Sequence, residues 1–168
     1  MIYYNIYKSP LGNLYLLANG DKLIGLYFEN QIEALNKKLK LEKRDLEIFS
    51  ISKNWLTIYF SGKDPDFLPP IKLIGSDFSE KIWQELLKIP YGSSKTYGQI
   101  SQEIFANKKY SQTLGGAVGR NPISIIVPCH RVIGSDGRLT GYAGGLERKK
   151  FLLDLEGINY RKWLMWKI

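Results

Sequence analysis

The feature that most limits how this chain can fold is a pair of proline breaks before its midpoint. Asp64-Pro65-Asp66 and Pro69-Pro70 follow one another closely. Proline fixes φ and lacks a backbone donor, so neither a helix nor an interior strand runs through them. They place a domain boundary near residues 66–76 and divide the chain into residues 1–72 and 73–168. A chain of 168 residues accommodates one domain or two small ones.

Before the breaks the pattern is β-rich. Residues 2–8, 12–18 and 22–28 are short aromatic and aliphatic runs, separated by the turn signals Ser9-Pro10-Leu11-Gly12 and Asn19-Gly20-Asp21. They predict a small antiparallel meander. Residues 30–42 read as a helix with Ile32, Leu35 and Leu39 on one face, and residues 51–61 as another, ended by Gly62.

After the breaks the pattern turns helical. Ser76 or Asp77 can cap a helix whose stripe is Phe78, Ile82, Leu86 and Ile89, stopped by Pro90-Tyr91-Gly92. Thr96 followed by Gln99 is a capping-box signal for a helix over 97–105. Asn107-Lys108-Lys109 is a polar turn, and Ser111 can cap a third helix over 112–119. Two short helices joined in this way predict a helix-turn-helix. The second contains Gly115-Gly116-Ala117 and ends at Gly119. An interior glycine costs about 1 kcal/mol relative to alanine. Either tight packing on a neighbouring helix or close approach to another backbone, such as a nucleic-acid groove, accounts for that cost. Residues 123–127 are β-branched and predict a buried strand; residues 134–145 predict a glycine-rich hairpin and loop. A last helix over 146–156 is predicted to turn Leu146, Phe151, Leu152 and Leu155 inward and Arg148, Lys149 and Lys150 mostly outward, with Gly157 as its cap. The fold class is therefore α+β: a small antiparallel sheet with helices, then a mostly helical domain.

The chemistry concentrates in Pro128-Cys129-His130-Arg131-Val132, which holds the one cysteine and the one histidine of the chain. A thiol near an imidazole can be converted to thiolate, the nucleophilic form. The bland alternative is an inert core cysteine beside a packing histidine. If residues 129–131 are extended, the two side chains point to opposite faces and a base acts on the thiol through water. Such a histidine needs a partner, and Glu156 at the end of the last helix is the candidate. One cysteine forms no intramolecular disulfide, so a reducing compartment such as the cytoplasm is expected. One cysteine and one histidine are too few for a zinc site without carboxylates. No run approaches the roughly 18 apolar residues of a membrane span, and no secretory signal is visible. The net charge of +8 divides as +2 over residues 1–72 and +6 over residues 73–168. That excess favours a polyanionic partner, against the alternative of simple solubility.

These residues resemble the O6-alkylguanine-DNA alkyltransferases, the methylated-DNA–protein-cysteine methyltransferases. Pro128-Cys129-His130-Arg131-Val132 is similar to their active-site signature. Ile89-Pro90-Tyr91-Gly92, Thr96-Tyr97-Gly98, Gly115-Gly116-Ala117-Val118, Asn121-Pro122, Gly141-Tyr142-Ala143-Gly144-Gly145-Leu146 and Leu155-Glu156-Gly157 agree in order and spacing. The resemblance is tight over about residues 76–158 and looser before them.

The resemblance implies a ribonuclease H-like first domain, a winged-helix-like second domain, and a suicidal repair protein. It binds duplex DNA and flips O6-alkylguanine out of the stack, with O4-alkylthymine as a further substrate. It moves the alkyl group irreversibly to Cys129, once per molecule. In this scheme Glu156 orients His130, and His130 acts through water to hold Cys129 as thiolate. Tyr97 offers its hydroxyl to the leaving base, and Asn121 ties the recognition helix to the active-site segment. Val132, Tyr142, Ala143, Gly144 and Ser124 shape the pocket. Gln112, Thr113, Gly115, Gly116 and Arg120 meet DNA. No cofactor or metal is expected, and the protein is expected to be a monomer. The chain departs from the family at Gln112, where an intercalating arginine is common. It also has no cysteine or histidine before Cys129 to hold the zinc some members bind, and carries Ser124 where some have proline. Two other readings stand beside it: a non-catalytic binder of alkylated DNA, against which Cys129 counts, and a cysteine hydrolase, for which the glycine-rich helix and positive charge have no use.

Overall fold

The structure is a computed structural model and describes residues 1–160; residues 161–168 of the second predicted domain lie outside the described residues. The chain forms two compact units. One is Met1–Ile74 with Pro122–Ser124, and the other is Gly75–Asn121 with the chain from Ile125 onward.

In the first unit β1 (Ile2–Ser9), β2 (Gly12–Ala18) and β3 (Leu23–Phe28) form the expected antiparallel meander. Its first turn closes because Gly12 adopts φ +95°, which glycine takes at no steric cost. The Ser9 hydroxyl donates to the Gly12 carbonyl at 2.6 Å and accepts from the Leu11 N–H at 3.0 Å. Leu14, Leu16 and Leu17 are buried on β2, and the alternation breaks where a bulge falls between Leu17 and Ala18. Helix α1 (Glu29–Lys38) is shorter than predicted and buries no residue. The residues after it form β4 (Leu41–Lys43), which pairs parallel to β1, so the sheet is mixed in the order β3-β2-β1-β4. Helix α2 (Glu47–Phe60) begins ahead of residue 51 and buries Ile48, Phe49, Ser52, Trp55, Leu56 and Tyr59. Those positions recur every three or four residues, and each large apolar one contributes about 1.5–3 kcal/mol on burial.

One of the two outer strands of this sheet, β3, would leave open backbone groups on its free side. Two single bridges cover it, Leu23 with Ile71 and Leu26 with Ile123. The Leu26 N–H donates to the Pro122 carbonyl at 2.8 Å, and the Ser124 N–H donates to the Leu26 carbonyl at 3.2 Å.

In the second unit α3 (Asp77–Leu86) is capped by Ser76, whose hydroxyl accepts from the Ser79 N–H at 3.1 Å. Helix α4 (Tyr97–Phe105) carries the anticipated capping box. Thr96 Oγ1 accepts from the Gln99 N–H at 3.1 Å, and Gln99 Oε1 accepts from the Thr96 N–H at 2.8 Å. A 3₁₀ turn, Lys108–Tyr110, leads into α5 (Ser111–Gly119). Ser111 lies inside this helix rather than capping it, because its hydroxyl donates back to the Lys108 carbonyl at 2.6 Å. Trp83 Nε1 donates to the Ala117 carbonyl at 2.9 Å and fastens α3 to α5.

Four expectations are corrected here. Residues 123–127 are buried but form no strand. They lie between Pro122 and Pro128, and Ile125 adopts φ +72°, which turns the backbone out of an extended path. Residues 129–131 are a 3₁₀ turn, not extended. Residues 134–145 form turns, not a hairpin: the Gly134 N–H donates to the Arg138 carbonyl at 2.8 Å and the Gly137 N–H to the Gly134 carbonyl at 2.9 Å. The ladder formed nearby is β5 (Lys95–Thr96) parallel to β6 (Val132–Ile133). Finally, α6 (Leu146–Leu155) is rotated from the predicted stripe, with Leu146 and Phe151 exposed and Lys149 fully buried. Its inward face is Lys149, Leu152, Leu153 and, one residue past the helix, Glu156. That is an ordinary i, i+3, i+4, i+7 face with ions at both ends.

Candidate active site and nucleic-acid interface

Cys129 opens the 3₁₀ turn Cys129–Arg131 and is 6% exposed. Burial pushes its thiol pKa up; the Asn121 amide, the Lys149 ammonium and the Tyr142 hydroxyl draw it back only in part. Burial disfavours the charged form of the thiol more strongly than these neighbours favour it. Asn121 follows α5 and its Nδ2 donates to the Val127 carbonyl at 2.8 Å, tying the end of that helix to the segment before Cys129.

His130 is wholly buried, with Nε2 2.5 Å from Glu156 Oε2. Burial lowers the imidazole pKa and outweighs the upward pull of Glu156, so the ring is neutral near pH 7. An ionised carboxylate only accepts, so Nε2 carries the proton and Nδ1 holds the basic lone pair. For Glu156, burial pushes the carboxyl up, but the hydrogen bond from His130, then the charge and hydrogen bond of Arg131, prevail and hold it at about 2. Glu156 Oε1 also accepts from Arg131 Nε at 2.8 Å and from the Gly92 N–H at 3.0 Å. Arg131 is 8% exposed, and its Nη1 donates to the Ile89 carbonyl at 2.7 Å. The carboxylate thus anchors the histidine, the arginine and the turn after Pro90 at once.

Lys149 is the residue whose position the sequence reading misplaced. Its Nζ donates to the Val132 carbonyl at 2.7 Å and to the Thr140 carbonyl at 3.2 Å. Burial lowers its pKa to about 8, against a smaller upward pull from Cys129. The unfolded lysine, near 10.5, binds a proton that the folded one has released, so its contribution to stability rises with pH between those values. Relative to Lys149→Met, the wild type is expected to gain about 3 kcal/mol between pH 8 and 10.5, measured by urea unfolding. An unchanged difference across that window would show that the ammonium is not desolvated.

Tyr97 opens α4, and its Oη accepts a hydrogen bond from Thr140 Oγ1 at 3.1 Å. Burial raises the phenol pKa, the Thr140 bond lowers it, and the neighbouring Cys129 adds a smaller upward push. Tyr97 and Thr140 line an open cleft of about 450 Å³ with Ser111, Gln112, Gly115, Gly119 and Gly141. Val132 is fully buried, Gly144 is buried, and Tyr142 and Ala143 are half-buried. Ser124 is 1% exposed and belongs to the first unit through its bond to Leu26.

The outer face of α5 presents Gln112, Thr113, Gly116, Gly119 and, just beyond it, Arg120 to solvent. A Cβ at Gly119 would meet nothing within 4 Å, and one at Gly115 would meet only the Tyr97 ring, at an ordinary 3.7 Å. Packing within the chain does not demand glycine at either position. The bare surface is turned outward, where another backbone can approach it.

Three residues of the site were missed by the sequence reading: Arg131, Lys149 and Thr140. A charged side chain set between Val127 and Val132 in a buried run was the available signal for Arg131, since such a charge needs a buried partner. Thr140 gave no signal.

The unit that holds the helix-turn-helix also holds the buried cysteine and the His130–Glu156 pair. Comparison with known proteins makes the assignment specific. Residues 2–73 match the 6-O-methylguanine DNA methyltransferase, ribonuclease-like domain, and residues 77–158 match the 6-O-methylguanine DNA methyltransferase, DNA binding domain. A methylated-DNA–protein-cysteine methyltransferase of Haemophilus influenzae is 43% identical over 160 residues, covering 95% of this chain and 88% of that protein. One of Methanosarcina acetivorans is 44% identical, covering 93% and 99%. The crystal structure of Mycobacterium tuberculosis OGT in complex with DNA superposes with a TM-score of 0.83 at 41% identity, covering 92% of each chain. The chain belongs to the 6-O-methylguanine DNA methyltransferase family. It is a methyltransferase with a ribonuclease-like first domain and a DNA-binding second domain.

Proposed function

We propose that the protein removes the alkyl group from O6-alkylguanine in duplex DNA by transferring it to Cys129, once per molecule. The observation that carries this reading is the buried run from Cys129 to the His130–Glu156 pair on the same unit as the outward-facing glycines of α5. His130 Nδ1 takes the Cys129 proton through a water as sulfur attacks the alkyl carbon, and Glu156 stabilises the imidazolium that forms. Tyr97 gives its phenolic proton to the leaving purine, which would otherwise depart as an anion. Asn121 holds the thiol-bearing segment, and Val132, Tyr142, Ala143 and Gly144 frame the extruded base. The same chemistry extends to O4-alkylthymine, whose alkylated oxygen is an equivalent leaving group.

Gln112, Thr113, Gly115, Gly116 and Arg120 bring α5 against the minor groove, with Gln112 filling the space the base leaves. The second half of the chain carries the larger share of the +8 charge. It supplies phosphate contacts, so binding weakens as salt rises. The protein works as a monomer in a reducing compartment, the cytoplasm. A thioether is chemically stable and the chain has no second cysteine to remove the group, so the reaction stops at one equivalent.

The test is to mix the protein with duplex DNA bearing a single O6-methylguanine, follow intact mass, and map the modified peptide. One methyl on Cys129, saturating at one per protein, is the expected result. Continued loss of lesion beyond one equivalent, or lesion binding with unchanged protein mass, would overturn the reading.

A further inference from the structure

We propose that Thr140 is a positioning residue for alkyl transfer, directing the Tyr97 hydroxyl proton toward the leaving purine. This rests on the reading of Tyr97 as proton donor. A phenol oxygen has one proton and two lone pairs. Thr140 Oγ1 is the donor in its bond to Tyr97 Oη, at 3.1 Å. That bond occupies a lone pair, so the phenol proton is left to point at a different acceptor. Both residues line the cleft beside Gly115 and Gln112, so the acceptor that arrives there is the extruded base.

Thr140 is itself fixed in place. Its carbonyl accepts from buried Lys149 Nζ at 3.2 Å, and Leu139 before it is 4% exposed in an apolar cluster with Ile133, Leu153, Ile158 and Tyr160. The hydroxyl is therefore held by a supported segment rather than by a free loop tip.

The step balances as follows. The carbon–sulfur bond to Cys129 forms as the bond from that carbon to guanine O6 breaks. The thiol proton passes through water to His130, and the Tyr97 proton passes to the purine, which leaves as neutral guanine. The phenolate that remains keeps the Thr140 hydrogen bond, and that bond strengthens as charge appears on the oxygen. Solvent then carries the proton held on His130 back to Tyr97. A bond that strengthens in the transition state raises the rate of the chemical step rather than lesion affinity. The hydrogen bond also draws the Tyr97 pKa down against the effect of burial, the direction that makes it a better acid.

The experiment is single-turnover transfer from O6-methylguanine duplex at saturating DNA, with lesion affinity measured in parallel. Thr140→Val keeps the shape and removes the hydroxyl; Thr140→Ser keeps the hydroxyl. The valine variant is expected to slow transfer about ten- to hundredfold with affinity unchanged, and the serine variant to restore most of the rate. In a Tyr97→Phe background the valine substitution is expected to cost less than about twofold, because its partner is gone. A full rate in Thr140→Val while Tyr97→Phe alone is slow would overturn the role of Thr140 and leave Tyr97 as donor. An equal loss from valine in both backgrounds, or failure of serine to rescue, would also overturn it. A full rate in Tyr97→Phe would remove the donor reading itself.

Discussion

Cys129→Ala is expected to abolish alkyl transfer while leaving affinity for O6-methylguanine duplex within a few-fold of wild type. Cys129 is the only thiol in the chain, and the proposed reaction has no other acceptor. The DNA-facing groups lie elsewhere, on α5 and in the positive charge of the second half, and phosphate contacts dominate affinity. Loss of one sulfur from a site that is 6% exposed costs about 1 kcal/mol through a small cavity, too little to unfold the unit. Intact mass after incubation reads the transfer, and fluorescence anisotropy of labelled duplex reads the binding. Methylation at another residue would move the acceptor. Loss of lesion binding together with transfer would make the cysteine a structural element of the interface.

The second large effect belongs to Glu156→Gln. The carboxylate receives His130 Nε2, Arg131 Nε and the Gly92 N–H. Glutamine offers one acceptor oxygen and a donor group where these three donors converge. It leaves the Arg131 guanidinium, 8% exposed, without its counter-charge. Breaking a buried pair from one side costs about 3–5 kcal/mol, so a drop of that order is expected in urea unfolding at pH 7. Transfer is expected to slow by at least about 100-fold, because the imidazolium formed during reaction loses its stabilising charge.

The acid limb gives an independent check. The folded carboxyl titrates at about 2 against an ordinary 4.5, so its stabilisation is complete above 4.5 and is lost as pH falls toward 2. That shift amounts to about 3 kcal/mol. The stability gap between wild type and Glu156→Gln is therefore expected to narrow by that amount between pH 4.5 and 2. A gap of constant size would assign the effect to packing rather than to the carboxylate charge.

Much of the fold was legible because its signals are local. The reciprocal bonds of Thr96 and Gln99 follow from residue type and spacing alone, as do the Ser76 cap and the turn at Gly12. The strand β4 was hidden because it is three residues long, half to fully exposed, and held by pairing with a strand far away in the sequence. The run 123–127 has β-branched composition, but flanking prolines and the positive φ of Ile125 decide its path, and composition carries no sign of either.

In the site, Cys129 and His130 could be nominated because each is the one residue of its type, and Glu156 because it ends the last helix in a family-like pattern; the structure brings His130 and Glu156 into contact. Lys149 could not. A lysine on a helix is ordinarily a solvent-facing residue, and only the Val132 and Thr140 carbonyls explain its burial. Thr140 was equally invisible, since its significance lies in which oxygen its hydroxyl meets.

The covering of β3 has a consequence for the order in which the protein is made. Translation releases the meander, the helices of the first unit and Ile71 long before Ile123 exists. Until Pro122, Ile123 and Ser124 leave the ribosome, the Leu26 amide and carbonyl face the cell with no backbone partner from this chain. The earliest-born sheet is thus completed by one of the later-born segments. For the interval of synthesis between them, at roughly 5–20 residues per second, the nascent chain carries a half-dressed strand edge. A ribosome paused in the stretch encoding α3 to α5 would prolong that exposure.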